Sequence, residues 1–203
     1  MHAISSERLR QFSDVLRLRS GQSLTVRFVE PSDIGALSDY FQSLSRRSNY
    51  NRFLGAMHDL PEREIISILA TGEANRFAVI GEVKVDGKDR IVCEARYAVD
   101  PALETCEFGL SVADGWQGLG IASALLSNLE CRAAALGASL LIGDTLRSND
   151  EMQGLGRKLG FAFTYSPEGW TLVRMQKPIG LAAHEIPCVN WREAVPPLAM
   201  AAG

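Results

Sequence analysis

A strand that runs into a glycine-rich turn and then into a long amphipathic helix constrains this chain more than any other stretch. Cys106-Glu107-Phe108-Gly109-Leu110-Ser111-Val112 has the make-up of a strand, and Ala113-Asp114-Gly115-Trp116 is a polar turn. Gln117-Gly118-Leu119-Gly120-Ile121-Ala122 then opens a helix whose apolar positions are Ala122, Leu125, Leu126, Leu129, Ala133 and Leu136. That spacing is helical, and Gly137 stands where a C-cap glycine belongs. The first N–H groups of a helix lack partners and sit at the positive end of its dipole, so the site favours an anion. Glycines let those amides approach a phosphate with no Cβ in the way.

The other elements follow from local patterns. Arg8, Arg10, Arg17 and Arg19 interleave with Leu9, Phe12 and Leu16 over 5–19, which predicts an N-terminal lead-in helix within 1–23. Leu24–Val29 alternates like a half-buried strand; Pro31 and Asp33 start a helix continued by Ile34, Leu37, Tyr40, Phe41 and Leu44. Ser45–Leu54, rich in arginine and asparagine, reads first as a solvated loop between helices, with a substrate or cofactor contact as the alternative. Pro61–Leu69 reads as a further helix, stopped at Gly72. Arg76–Val83 and Arg90–Val99, joined through Asp86-Gly87, form a hairpin, and Asp100-Pro101 turns the chain into the strand at Cys106.

After the long helix come a strand at Ser139–Leu146 and a capping box, Ser148-Asn149-Asp150-Glu151, for a helix ending at Gly160-Phe161. Ala162–Tyr165 and Thr171–Met175 complete the strands. The expected fold class is α/β in the α+β sense: a mixed, largely antiparallel sheet flanked by helices, with one βαβ crossover at the glycine turn, spanning 24–177. Pro187, Pro196, Pro197 and many alanines set 178–203 apart as a tail.

Composition narrows the function. The 203 residues, 46% hydrophobic and 22% charged, suit one globular domain. A formal net charge of −3 leaves no basic footprint for nucleic acid. Cys93, Cys106, Cys131 and Cys188 are widely spaced, and His2, His58 and His184 are isolated, so neither a disulfide framework nor a metal site is expected. No apolar run approaches membrane-spanning length, and Met1–Arg8 lacks the apolar core of a signal peptide, so the expected location is cytoplasmic.

Several anion ligands compete for the turn. A Walker A loop fails because Ile121-Ala122-Ser123, and no lysine, follows Gly120. A dinucleotide site would use Gly118, Gly120 and Asp144, but Ser123 replaces the third glycine, and a polar turn separates strand from glycines. The pattern at Gln117, Gly120 and Ala122 resembles the acyl-CoA signature of the GNAT N-acetyltransferase superfamily. The resemblance continues through the long helix, the strand at 139–146, Asn149 with Met152, and Leu159-Gly160-Phe161. Glu107-Phe108 ahead of the turn and Asn149-x-x-Met152 look most like the acetyltransferase domain of bacterial protein-lysine acetyltransferases.

The resemblance implies a GNAT fold splayed at its central parallel strand pair, and acetyl-CoA as cosubstrate without a metal. It implies that the amides of Gln117, Gly118, Leu119, Gly120, Ile121 and Ala122 hold the CoA pyrophosphate, with Ser123 as a neighbouring hydroxyl donor. Leu110, Ser111 and Val112 would pair with the pantetheine arm through the main chain, one N–H polarising the thioester carbonyl. Asn149 and Met152 would lie near the thioester, although Asn149 serves equally as a helix cap. Glu107 is the candidate general base for a primary amine, on a small molecule or a protein lysine; an outward-facing surface glutamate is the alternative. Where many members carry a general-acid tyrosine this chain has Gly156, so the acid stays unassigned, Tyr165 being on the following strand. A non-catalytic acyl-CoA-binding domain stays open beside the enzyme, as does a homodimer. Gln153-Gly154-Leu155-Gly156 repeats the tetrapeptide at 117–120 but falls inside a helix with no strand leading in, which excludes a second phosphate loop.

Overall fold

In the computed structural model, residues 12–55, 68, 71 and 73–180 are described. The chain begins with β1 (Ser13–Arg17) and β2 (Ser23–Phe28), an antiparallel pair. The helix expected over 5–19 is therefore a strand at 13–17, while residues 5–11 lie outside the described ones. Phe12 and Leu16 fit either period, and tertiary pairing decides. In a strand Asp14 and Leu16 face inward, and Asp14 accepts hydrogen bonds from Asn128 at 2.8 Å and from the fully buried Arg132 at 2.5 Å.

A short turn at Pro31–Asp33 leads into α1 (Ile34–Ser43), which buries Leu37, Tyr40 and Phe41. Next is α2 (Arg46–Phe53), where a solvated loop was the favoured expectation. This helix buries none of its residues completely, so it carries no apolar stripe for a periodicity argument to find. Ser45 caps it, accepting from the Ser48 N–H at 3.2 Å. The helix expected over 61–69 lies outside the described residues except for Ile68, which is buried beneath α1.

The remaining elements are β3 (Arg76–Val85), β4 (Lys88–Asp100), β5 (Thr105–Val112), α3 (Ile121–Ala135), β6 (Leu140–Leu146), α4 (Asp150–Lys158), β7 (Ala162–Tyr165) and β8 (Leu172–Pro178). They form an eight-stranded sheet in the order β1-β2-β3-β4-β5-β6-β8-β7. Every neighbouring pair is antiparallel except β5 and β6. On one face α3 buries Leu125, Leu126, Leu129 and Ala133 against Val79, Ala95 and Phe108; on the other, α1 packs over Ala78, Ile80 and Ile91.

The parallel pair sets up the site. Its register runs Thr105↔Leu140, Cys106↔Leu141, Glu107↔Ile142 and then stops, although both strands continue. Phe108 is the wedge. Its ring lies where a Gly143 side chain would be, 2.8 Å from the position of a Cβ, and packs on Phe161 with centroids 5.9 Å apart. Beyond Glu107 the strands splay, as expected of this fold.

Candidate active site

The glycine turn has the geometry of an anion cradle. Gly118 and Gly120 have φ of 75° and 86°, with no atom within 4 Å of where a Cβ would be. Glycine is needed there for backbone sign, not for want of space. Gly120 is the N-cap of α3, and no side chain supplies a cap. Among the described residues, the N–H groups of Gly118 through Ser123 have no hydrogen-bond partner, so they are available to a ligand.

Gln117 differs from its neighbours. Its N–H donates to the Asp114 carbonyl at 3.3 Å, and its side-chain amide donates to Val112 O at 3.0 Å and Ser48 Oγ at 3.2 Å. It is a strut that fixes the turn, and the free amides begin at Gly118. Asp114 is a second strut. It accepts from the Ser45 N–H at 2.8 Å, Ser45 Oγ at 2.7 Å and Ser48 Oγ at 2.8 Å. Burial pushes its carboxyl up, but these donors outweigh burial and hold it below the ordinary carboxylate range. The start of α2 is thus tied to the glycine turn.

Along β5 the main chain divides by parity. Ala113 N–H donates to Val92 O on the β4 side at 2.9 Å, so strand alternation turns the N–H groups of Leu110 and Val112 toward the splayed edge. Gln117 covers the Val112 carbonyl on that same edge. Ser111 points the other way: its main chain faces β4 and its side chain lies beneath α1. Of the three residues expected to pair with a pantetheine arm, Leu110 and Val112 have the open N–H groups.

Ser111 belongs to a buried network that sequence reasoning missed. Glu94, 3% exposed, accepts from Ser111 Oγ at 2.8 Å, from Arg52 Nη2 at 3.1 Å and from Arg52 Nε. With its proton given to Glu94, the Ser111 hydroxyl accepts from Tyr40 OH at 2.9 Å. Burial would push Glu94 up, but the charges of Arg52 and Arg96 outweigh it and the carboxyl stays below its ordinary range. Burial and the Glu94 charge push the Tyr40 phenol well above its own. The Arg52 guanidinium lies over Gly109, 2.9 Å from where a Cβ would be, so a side chain there would have to displace it. The available signal was a lone carboxylate inside the apolar run Ile91-Val92-Cys93-Glu94-Ala95.

These parts border one cleft of about 1250 Å³, which extends from Gly118, Gly120 and Ser123 past Asn149 and Met152 to Glu107 and Arg76. Glu107 is exposed into this cleft at the last paired position before the splay. Asn149 caps α4, accepting from the Met152 N–H at 3.2 Å, and donates to Thr145 Oγ1 at 3.2 Å; one amide hydrogen remains for a ligand. At Gly156 a Cβ would lie 2.5 Å from Met175 Cε and 2.9 Å from Phe163 Cζ. The space a side chain would need there is filled by the core, so Gly156 is a close-packing glycine, whereas Gly154 of the same repeat is exposed with nothing within 4 Å of where a Cβ would be. Tyr165 is 87% exposed, on β7. Among the described residues no group of histidine, cysteine, aspartate and glutamate could hold a metal, and no helix is long and apolar enough to cross a membrane.

A splayed β5–β6 pair with a glycine turn at its mouth defines an acetyltransferase of the GNAT class, and comparison with known proteins agrees. The acetyltransferase (GNAT) family model matches residues 37–161, and the chain belongs to this family. It is 26% identical over 156 residues to acetyltransferase PA5475 of Pseudomonas aeruginosa, covering 77% of this chain and 84% of that one. The fold is similar to the GNAT domain of S. lividans PAT, with a TM-score of 0.74 and 21% identity over 86% of this chain and 98% of that domain. RimL, a ribosomal L7/L12 alpha-N-protein acetyltransferase solved with coenzyme A, shares the fold at a TM-score of 0.61 and 14% identity, covering 82% of this chain and 98% of that one. Family membership supports an acyl-CoA-dependent acetyltransferase.

Proposed function

We propose that this protein transfers an acetyl group from acetyl-CoA directly to a primary amine, with Glu107 as general base. The observation that carries the reading is the position of Glu107: in the cleft, at the point where β5 leaves β6, three residues before the open N–H of Leu110. Bound acetyl-CoA supplies the thioester. The amides from Gly118 to Ser123 hold its pyrophosphate, with the Ser123 hydroxyl beside them, and the N–H groups of Leu110 and Val112 hold the pantetheine arm and polarise the carbonyl. Asn149 and Met152 border the same stretch of the cleft.

Glu107 takes a proton from the incoming ammonium, directly or through one water, so that nitrogen has a lone pair for the carbonyl carbon. The C–N bond forms, the nitrogen gives up its second proton to solvent, and the C–S bond breaks as the thiolate leaves. An ordinary thiol pKa is about 8.5, so the thiolate can depart and take its proton from water, without a side-chain acid at position 156. Glu107→Gln should lower turnover steeply and leave acetyl-CoA binding close to wild type; unchanged turnover removes Glu107 from the role.

The closed space at Gly156 favours one second reading, an acyl-CoA-binding domain without turnover. Thiol release from acetyl-CoA across a panel of amines separates the two, because a sensor binds but releases nothing.

A further inference from the structure

Resting on the transferase reading, we infer that the acceptor carries an anionic group, carboxylate or phosphate, a few bonds from its reacting amine, and that Arg76 binds that group. The sheet register places the pieces. Arg76 on β3 pairs with Ala98 on β4, and Ala98 pairs with Glu107 on β5. All three therefore project from one face, in one row, with Arg76 and Glu107 two strands apart at roughly 10 Å between backbones.

Ala98 between them is small and half-buried, so the row forms a trough with a guanidinium on one wall and a carboxylate on the other. All three line the cleft. Both side chains are long enough to meet across the alanine, yet they form no ion pair. Among the described residues Arg76 has no hydrogen-bond or ion-pair partner at all, and it is exposed.

The next row explains why the trough ends where it does. Arg96 and Gly109 pair there, and the Arg52 guanidinium covers Gly109, which closes the α2 side. The Ala98 floor thus gives an acceptor at Glu107 a path toward Arg76. Its ammonium meets Glu107, and a group bonded nearby meets a cation that can donate two parallel N–H bonds to a planar carboxylate or to phosphate oxygens. An uncharged substituent in that place would leave the guanidinium without that partner, whereas a carboxylate or phosphate completes the alternation of charge along the row.

The test uses matched acceptors with the full chain and acetyl-CoA: β-alanine against β-alaninamide for carboxylate, 2-aminoethyl phosphate against ethanolamine for phosphate, and a lysine peptide without acidic neighbours. The anionic member of at least one pair should exceed its neutral partner about tenfold or more in kcat/KM, through KM, as expected for a hydrogen bond to a charged group. Arg76→Ala should collapse that ratio toward one and Arg76→Lys should keep part of it, while the CoA-induced thermal shift of both variants confirms that they are folded. Equal rates for charged and neutral acceptors, a lysine peptide as the best acceptor, or an equal loss on both members in Arg76→Ala overturns the inference and leaves the transferase reading standing. No thiol release with any acceptor, with the thermal shift by CoA intact, overturns both.

Discussion

The two halves of the cleft are built from different materials. On the α3 side the ligand-facing groups are main-chain amides, held by the sign of φ at Gly118 and Gly120 and by the struts Gln117 and Asp114. On the α2 side they are side chains, Glu107 and Arg76 facing the trough and Arg52 with Glu94 beneath α2. Main-chain amides cannot be altered by substitution without changing the backbone, so that half is insensitive to side-chain identity except at the glycines. The side-chain half depends on each residue separately. On the proposed reaction, the first construction would hold the acetyl donor and the second the acceptor.

That contrast can be broken at graded cost. The largest effect should come from Glu107→Gln, which removes the proposed base: turnover is expected to fall about 10²- to 10⁴-fold, with the thermal shift by acetyl-CoA retained. Glu94→Ala comes next, since it leaves the Arg52 charge buried without its carboxylate. Unfolding free energy should drop by roughly 3–5 kcal/mol in urea titration, and a loss below about 1 kcal/mol would show that α2 is held by something else.

Gly120→Ala tests the other half. Forcing a Cβ into the left-handed region costs about 1–2 kcal/mol, so acetyl-CoA affinity should weaken roughly tenfold while stability falls by no more than that. Asp114→Asn should have a smaller effect of about 1 kcal/mol, because the amide still accepts from one or two of the three donors; loosening α2 against the glycine turn should raise KM for acceptor more than for acetyl-CoA.

The smallest effect is in pH dependence. Asp114 and Glu94 are both held below the ordinary carboxylate range when folded, so each binds fewer protons folded than unfolded. Their stabilisation is complete above the unfolded values near pH 4 and is lost progressively as pH falls below them. Thermal melts should be flat between about pH 6 and 8 as far as these two groups are concerned. An acid limb that Glu94→Gln leaves in place would assign it elsewhere.

Legibility in the sequence followed the same division. The glycine turn, its strand and helix, the cap at Asn149 and the hairpin at Asp86-Gly87 could be read because each is local: a few neighbouring residues determine backbone sign, cap or period. The readings failed where contacts distant in sequence dominate. β1 was expected as a helix because Phe12 and Leu16 fit that period, and it is a strand because β2 and Arg132 lie beside it. A loop was expected where α2 forms, because its anchors, Asp114 and Glu94, lie far along the chain. Glu107 was chosen for its chemistry, but nothing local said that Arg76 stands in the same row.

By itself, then, the sequence determined a phosphate-type cradle: two glycines in an αL-permissive turn, a helix start with unpartnered amides, and a carboxylate on the strand that feeds them. Only tertiary structure decided how that cradle opens and what it faces. Phe108 had to wedge under Gly143 for the parallel strands to part, and three strands had to align for Arg76, Ala98 and Glu107 to form a trough. Period, cap and φ are properties of consecutive residues. Wedge, register and ion pair join residues that the chain separates, and packing alone brings them together.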